Sequence, residues 1–344
     1  MLCVAAVNFH INRKGSLMSV FSEGRGDCLR KGAVIGISAI CCALTVFFAV
    51  PVRAMPLFLE ADSAVLFDTR SKRMLYDQDS ARQIPPASLT KVMSLFVALD
   101  AVKSGKLSLR TPVRISKTAV RAGGSSMHLK AGERVPLDDL LRGMAVASAN
   151  DASAAVAEHI AGSQAAFVVM MNRKAEQIGM KRTVFKTPHG LPAKGQVTTA
   201  ADMLRLACRY MEAHPAARYY HSAPAVFHNG FRMHNTNKLL EDDDSISGLK
   251  TGFTRESGYN MIVTGKRQGR EMVGVILRAP SGEIRFREAQ RLLDYGATLR
   301  LPPEKEPATP PGRQNARTVR ASLAHPTKIA DATTHRSSRG RKTL

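Results

Sequence analysis

The sequence of 344 residues predicts an α+β fold: an antiparallel sheet flanked by helices, with a helical subdomain inserted between the strands. Segments that alternate like strands lie near residues 64–77 and 248–277, and segments with helical periodicity fill the chain between them. A composition of 44% hydrophobic and 23% charged residues supplies the apolar material for one sizeable core. Wholesale disorder and a collagen-like structure are excluded by the same composition.

The first predicted element is a β-hairpin. The segments Ala64–Asp68 and Met74–Asp77 flank the polar stretch Arg70–Arg73, as two strands flank a turn. The segment Ser88–Val102 then repeats apolar residues at helical spacing. By the same criterion four more helices are predicted, at Leu137–Val146, Ala152–Ala161, Ala165–Ile178 and Thr199–Met211.

Strands return in the last part of this region. A glycine-flanked strand is expected at Gly248–Gly252, and Tyr259–Thr264 and Met272–Leu277 alternate on either side of the turn Gln268–Arg270. The periodicity of Ile284–Leu299 predicts a closing helix. Because strands stand at both ends with helices between them, one antiparallel sheet built from both ends is the simplest arrangement.

The first 54 residues have the pattern of an export signal. Arg30 and Lys31 precede the eighteen uncharged residues Ala33–Val50, and Val52 and Ala54 place small residues at positions −3 and −1 of a cleavage site. The apolar run is longer than usual for a signal peptide, so an uncleaved membrane anchor is the alternative. We therefore expect an exported protein, periplasmic or otherwise extracytoplasmic.

Charge separates the two ends from the body of the chain. The whole chain carries +22, of which residues 301–344 carry +6 and residues 55–300 carry +12. The segment 301–344 is rich in Pro, Thr, Ser and Arg without apolar periodicity, which predicts a disordered basic tail. The charge favours anionic surroundings such as a membrane face or an acidic wall polymer. Nucleic acid is disfavoured as a partner, because an exported chain without a recognition motif is not typical of nucleic-acid binding.

Cysteines and histidines give little support to metal chemistry. Four of the five cysteines lie in the first 54 residues, so Cys208 alone remains in the body and neither an internal disulfide nor a cysteine-rich zinc site is expected there. Four histidines suggest a zinc peptidase as an alternative, but they lack the His-Glu-x-x-His spacing of that class. These are His214, His221, His228 and His234.

The sharpest chemical signal is Ser88 followed by Lys91. Pro85 and Pro86 precede Ser88, so the serine lies at or near a helix N-terminus, where unpaired N–H groups favour negative charge on its oxygen. Lys91 is one turn later on the same face, and a partly desolvated lysine can act as a general base. Taken alone, Ser-x-x-Lys is more often a capping serine and a surface lysine.

Two further motifs change that interpretation. Ser148-Ala149-Asn150 begins 60 residues after Ser88, and Lys250-Thr251-Gly252 begins 102 residues after Ser148. Each alone is more often an ordinary loop or strand end. Their joint occurrence, in this order and with an export signal, is much rarer and indicates nucleophilic serine catalysis.

With these motifs the chain resembles the D-alanyl-D-alanine carboxypeptidases among the low-molecular-mass penicillin-binding proteins, within the Ser-x-x-Lys group that includes serine β-lactamases. The resemblance covers about Leu59–Leu299 and implies a fold like that of β-lactamases and penicillin-binding proteins. Further stretches carry it: Gly123–Met127, Asn150-Asp151-Ala152, Met171-Asn172, Thr187–Leu191, Asn235–Leu240 and Gly258-Tyr259-Asn260.

The resemblance implies a role for each motif residue. Ser88 would be the nucleophile and Lys91 its base, with Ser148 in the proton relay. The substrate would be held by Asn150, Lys250, Thr251 and Gly252, of which Lys250 and Thr251 would contact its terminal carboxylate.

Two further roles come from aligning the chain with the family. The oxyanion hole would use the backbone N–H groups of Ser88 and Phe253. Arg285 would be the carboxylate-binding arginine, with Arg287 as the competing candidate.

Ser247 and Phe253 depart from the family, which commonly has Asp at the first position and often has His at the second. In place of the second β-domain and membrane helix of many relatives stands the basic tail, which would either hold the enzyme near an anionic surface or have no role.

The implied activity is removal of the terminal D-alanine from peptidoglycan stem pentapeptides through an acyl-enzyme, with penicillins as covalent inhibitors and no metal or other cofactor. A DD-endopeptidase acting on crosslinks and a catalytically silent wall-binding protein of the same fold are the alternatives. A class A β-lactamase is disfavoured, because no glutamate between the second and third motifs stands in a Glu-x-x-Leu-Asn setting; the four are Glu158, Glu176, Glu212 and Glu241.

Overall fold

The computed structural model describes residues Leu57–Leu299. The export signal predicted for residues 1–54 and the basic tail predicted for residues 301–344 therefore lie outside the described residues.

One antiparallel sheet combines strands from both ends of the described region. Its strands are β1 (Ser63–Asp68), β2 (Arg73–Gln78), β7 (Ile246–Thr254), β8 (Gly258–Arg267) and β9 (Arg270–Ala279). They are ordered β2-β1-β9-β8-β7, so β1 pairs with β9 and joins the two ends of the region. This arrangement confirms the predicted sheet and leaves β7 at its edge.

Two small strand pairs lie outside this sheet and were not predicted. β3 (Pro112–Arg114) pairs with β4 (Arg134–Pro136), and β5 (Ala225–His228) pairs with β6 (Phe231–His234). Strands of three or four residues are too short for a two-residue alternation to be distinguished in the sequence.

The long predicted helices are all present, with small differences at their ends. Between the two parts of the sheet the described helices are α1 (Thr90–Lys103), α2 (Lys117–Val120), α3 (Leu137–Ala145), α4 (Asn150–Ala161), α5 (Gln164–Gln177), α6 (Ala200–Ala213), α7 (Arg218–Ser222) and α8 (Leu239–Asp242). The last helix is α9 (Gly282–Thr298). Single 3₁₀ turns at Ala87–Leu89 and Pro215–Ala217 precede α1 and α7.

The sheet separates two apolar cores. Val65 on β1 contributes to the larger core with the inserted helices, whereas its neighbour Leu66 contributes to the smaller core under α9. This is the two-residue alternation expected of a strand covered on both faces. Helix α1 runs through the larger core, and its residues from Thr90 to Leu99 are all buried. A polar side chain in the first turn of α1 is therefore removed from water by the fold itself.

Within Leu57–Leu299 no single helix is long and apolar enough to cross a membrane. The helices α4 and α5 pass that test of length and composition only when taken together, and they meet at an angle of 85°.

Candidate active site

Ser88 lies in the 3₁₀ turn that leads into α1, and two glycines allow the chain to approach this turn closely. A Cβ atom on Gly252 of β7 would lie 3.0 Å from the Ser88 nitrogen. A Cβ atom on Gly190, whose φ is +90°, would lie 1.9 Å from the Ala87 carbonyl oxygen. Any side chain at either position would displace the turn, so Ser88 is held between the sheet edge and the loop that contains Gly190.

Lys91 is fully buried directly beneath Ser88. Its Nζ lies 3.0 Å from Ser88 Oγ, 2.6 Å from Asn150 Oδ1 and 2.8 Å from the His189 carbonyl oxygen. Burial, followed by the nearby charge of Lys250, holds the pKa of Lys91 well below its usual value, although Asp151 opposes the shift. The fold therefore favours a neutral amine at this position.

The two fixed acceptors decide where the lone pair of that amine lies. A neutral amine has two N–H groups and one lone pair, whereas an amide oxygen and a carbonyl oxygen can only accept. When Asn150 and His189 accept the two N–H groups, the lone pair remains for the Ser88 hydroxyl. This is the arrangement that a general base needs to remove the proton of a serine.

The loop before α4 places the second motif at the same site. Asn150 is the first residue of α4, and its Nδ2 donates to the Gly123 carbonyl oxygen at 2.7 Å. Asp151 accepts from the Ser126 hydroxyl and from the backbone N–H groups of Met127 and Leu129, which fixes the loop facing Asn150. Asn150 is thereby held in the orientation that presents its oxygen to Lys91.

Ser148 has a backbone conformation that non-glycine residues rarely adopt. Its φ is +60°, and strained residues of this kind concentrate at functional sites. Its side chain is buried, and among the residues that the structure describes its hydroxyl has no hydrogen-bond partner. The structure therefore places Ser148 in the loop beside Asn150 but does not link its hydroxyl to Ser88 or Lys91.

The third motif forms the sheet side of the site. Lys250 is fully buried, and its Nζ donates to the Thr251 carbonyl oxygen at 3.0 Å and to Thr236 Oγ1 at 3.5 Å. The Thr251 hydroxyl donates to Thr236 Oγ1 at 2.8 Å. Burial and then the charge of Arg285 lower the pKa of Lys250 to about 7.

The two candidate arginines on α9 have different surroundings. Arg285 is buried, and its guanidinium lies 5.6 Å from the centre of the Tyr259 ring on β8. Burial lowers its pKa to about 10, and its Nε has no hydrogen-bond partner among the described residues. Arg287 is half-exposed and forms ion pairs with Glu60 and Glu288. Of the two arginines, only Arg285 has no carboxylate partner among the described residues. Its charge is also close enough to Lys250 to lower the pKa of that lysine.

Phe253 follows Gly252 at the end of β7. Its ring is half-exposed and stacks on Tyr259, with 4.3 Å between the ring centres. Tyr259 thus contacts both Phe253 and Arg285. The role of the Phe253 backbone N–H in an oxyanion hole stays a prediction.

The structure therefore brings most of the predicted residues together. Ser88, Lys91 and Asn150 are in direct contact, and β7 carries Lys250, Thr251 and Gly252 against the Ser88 turn. Sequence analysis did not assign roles to Gly123, His189 and Thr236, although all three lie in stretches that carry the family resemblance. Two of them act through backbone carbonyl oxygens, which leave no signature in a side-chain pattern.

Three of the four histidines named as possible zinc ligands have separate partners. His214 contacts Asp100, His221 contacts Tyr210 and His228 contacts Glu133. Within Leu57–Leu299 no three His, Cys, Asp or Glu side chains are grouped so that they could hold a metal ion.

The fold and the arrangement of the site are those of the penicillin-binding-protein class. Residues 51–281 match the family described as D-alanyl-D-alanine carboxypeptidase, Peptidase_S11, and the chain belongs to this family. The predicted family and fold class are thereby confirmed.

Three similar proteins illustrate the relationship. The chain is 37% identical to D-alanyl-D-alanine carboxypeptidase DacD of Escherichia coli, over 72% of this chain and 66% of that protein. It is 31% identical to a D-alanyl-D-alanine endopeptidase of Pseudomonas aeruginosa, over 71% of this chain and 80% of that protein. The structure of penicillin-binding protein D2 from Listeria monocytogenes in its cefotaxime-bound form is 31% identical, covers 70% of this chain and 98% of that one, and has a TM-score of 0.65. The chain spans 61–66% of the length of the curated carboxypeptidases that it matches.

Proposed function

We propose that this protein is a serine D-alanyl-D-alanine carboxypeptidase that removes the terminal D-alanine from peptidoglycan stem peptides. The observation that carries the proposal is the Ser88–Lys91 pair: the buried Lys91 Nζ lies 3.0 Å from Ser88 Oγ and within hydrogen-bond distance of two fixed acceptors, which leaves the lone pair of a neutral amine for the serine. Membership of the carboxypeptidase family and the accompanying Lys250-Thr251-Gly252 strand supply the substrate class.

Acylation follows from this geometry. The Lys91 amine takes the proton of Ser88 as Oγ attacks the carbonyl carbon between the two D-alanines, and the developing oxyanion is stabilised by backbone N–H groups of Ser88 and Phe253. The C–N bond then breaks. The proton passes from Lys91, with Ser148 in the relay, to the leaving amine, so that D-alanine departs with a neutralised nitrogen.

Deacylation reverses the same proton transfers. A water molecule takes the place of the departed D-alanine, Lys91 accepts its proton as the oxygen attacks the ester, and Ser88 is released with its hydroxyl restored. The terminal carboxylate of the substrate is bound by the cationic sheet side, where Lys250, Thr251 and Arg285 lie together.

Penicillins are expected to acylate the same serine, because they combine a strained amide with a carboxylate that matches the sheet side of the site. A solved relative is a cefotaxime-bound form, which supports this expectation.

The first test is covalent labelling. We predict that labelled penicillin attaches to Ser88 and that Ser88→Ala abolishes the labelling completely, because the acyl group then has no oxygen to bond to. Ser94→Ala is the matched control. Ser94 is also a buried serine on α1, but its partner, the Pro188 carbonyl oxygen, keeps a second donor in Ser153. Labelling that persists in Ser88→Ala would sink the proposal.

A DD-endopeptidase that cuts crosslinks with the same serine is the second candidate function, since an endopeptidase is among the similar proteins. The products from a purified pentapeptide and from crosslinked muropeptides, measured side by side, separate the two. Release of free D-alanine from the pentapeptide, without cleavage of the crosslinked dimer, supports the carboxypeptidase. Faster cleavage of the crosslinked dimer favours the endopeptidase.

We further propose that catalysis belongs to residues 55–300, that residues 1–54 export the protein and that it acts outside the cytoplasm. The basic residues of the 301–344 segment are proposed to keep the enzyme near an anionic wall or membrane surface, since the segment carries +6.

A further inference from the structure

Thr236 lies where the second and third motifs meet. Its backbone N–H donates to the Val146 carbonyl oxygen at 3.1 Å, two residues before Ser148. Its hydroxyl oxygen accepts from Thr251 at 2.8 Å and from Lys250 at 3.5 Å. One residue outside the three motifs therefore contacts the Ser148 loop and both residues assigned to the substrate carboxylate.

The neighbouring asparagine fixes Thr236 in this position. The Asn235 side-chain amide donates to the carbonyl oxygens of His221 and Ala223, at 3.0 and 2.9 Å. Its Oδ1 accepts the backbone N–H of Asn237 at 2.9 Å. With the backbone held on both sides, the Thr236 hydroxyl remains at a fixed place beside Lys250.

The direction of these hydrogen bonds leaves one proton without a partner. A threonine hydroxyl has one hydrogen and two lone pairs, and both side-chain contacts of Thr236 use its oxygen as the acceptor. Apart from Thr251 Oγ1, which is itself the donor in that contact, no acceptor is bonded to this hydrogen among residues 57–299. Thr251, in contrast, already donates its only hydroxyl hydrogen to Thr236.

The surroundings select the kind of acceptor that fits this proton. Lys250 and Arg285 bring positive charge to the site, and neither forms an ion pair with a carboxylate among the described residues. Thr236 is partly exposed, whereas Lys250 and Thr251 are buried, so of the three Thr236 is the most accessible to a ligand. An anionic oxygen is the complementary group.

We propose that Thr236 is a specificity-determining residue that donates its hydroxyl hydrogen to the terminal carboxylate of the substrate. Thr251 supports Thr236 indirectly: the hydrogen bond that Thr251 donates polarises the Thr236 hydroxyl and strengthens its bond to the carboxylate. The proposal rests on the proposed carboxypeptidase function and adds a donor to its substrate site.

The test compares two peptides in the full-length enzyme: one ending in D-Ala-D-Ala and the other in the corresponding neutral C-terminal amide. We expect Thr236→Val to lower kcat/KM for the acid roughly tenfold or more, the loss typical of a hydrogen bond to a charged group. The amide should be nearly unaffected, so the acid-to-amide ratio falls by the same factor. Thr236→Ser, which keeps the hydroxyl, should restore the ratio.

Thr264→Val is the matched control. It removes a hydroxyl from the Ser247–Thr264 pair, on β7 and β8 but away from the Ser88 turn, and should leave the acid-to-amide ratio as in the wild type. An unchanged ratio in Thr236→Val overturns the proposal. So does a lower ratio accompanied by a displaced alkaline limb of the kcat/KM pH profile, because that result assigns the effect to a disturbed Lys250.

The two proposals fail in different ways. If the wild type cleaves neither peptide, or if Ser88→Ala is still labelled by penicillin, the carboxypeptidase function fails and the role of Thr236 fails with it. If the wild type turns over the acid and only the ratio test is negative, the role of Thr236 fails alone.

Discussion

The Lys91 amine on the helix side of the site and the donors on its sheet side differ in how completely they are paired. On the helix side, the Lys91 amine has a partner for each of its directions: Ser88, Asn150 and the His189 carbonyl oxygen. On the sheet side, the Thr236 hydrogen and the Arg285 Nε have no partner among the described residues. The Lys91 amine is therefore positioned before any ligand arrives, whereas Thr236 and Arg285 keep donors available for one.

This difference in pairing indicates that the two sides of the site contribute to different parts of catalysis. Groups that are fully paired in the free protein need no reorganisation in the reaction, which suits a base that must act at one fixed distance. Buried donors without partners are costly in the free protein, and an anionic ligand that satisfies them recovers that cost. Changes on the helix side should therefore mainly lower the rate of chemistry, and changes on the sheet side should mainly lower the recognition of a carboxylate.

The largest effect is expected on the helix side, from Lys91→Met. Methionine fills much of the same volume but cannot accept a proton, so acylation should slow by roughly 10²–10⁴-fold, the usual contribution of a general base. The rate of penicillin labelling measures this directly. The acid and the amide peptide should lose activity equally; a loss confined to the acid would contradict the division between the two sides.

A smaller effect is expected on the sheet side, from Arg285→Gln. Loss of one charged partner of the carboxylate should lower kcat/KM for the acid peptide by roughly tenfold to a hundredfold. Arg287→Gln is the matched control, because Arg287 is half-exposed and paired with Glu60 and Glu288, where an ion pair contributes little. If Arg287→Gln had the larger effect, the assignment of the two arginines would be reversed.

The smallest effect is a pH dependence that separates the two lysines. Lys91 acts as a neutral amine and Lys250 as a cation, and the Lys250 pKa is lowered to about 7 by burial and then by the charge of Arg285. Deprotonation of Lys250 above that pH should therefore reduce kcat/KM for the acid by about tenfold per pH unit. The amide should lack this alkaline limb, as should Lys250→Arg, whose guanidinium stays charged. An alkaline limb of equal size on the amide would argue against a role for Lys250 in carboxylate binding.

Local patterns were sufficient for the long elements of the fold. The strands β1, β8 and β9 and the long helices each bury apolar residues over a run long enough for its periodicity to be recognised. The pairs β3–β4 and β5–β6 were missed, because each strand is only three or four residues long. Their existence depends on what the neighbouring loops pack against.

The site divides in the same way. Ser88, Lys91, Ser148, Asn150 and Lys250 were predicted from motif spacing and family resemblance, because side-chain chemistry can be recognised in the sequence. The His189 and Gly123 carbonyl oxygens were missed, since every residue carries a backbone carbonyl and only the fold decides which one meets an amine.

The sequence by itself determined the chemical groups and the helical spacing that brings Ser88 and Lys91 onto one face, because three residues make nearly one turn of a helix. Only the tertiary structure determined the burial that shifts the pKa of the two lysines, the different surroundings of Arg285 and Arg287, and the placement of Thr236. Protonation depends on burial and on charges from distant segments, and the two arginines differ only in the surface that each meets when α9 packs on the sheet.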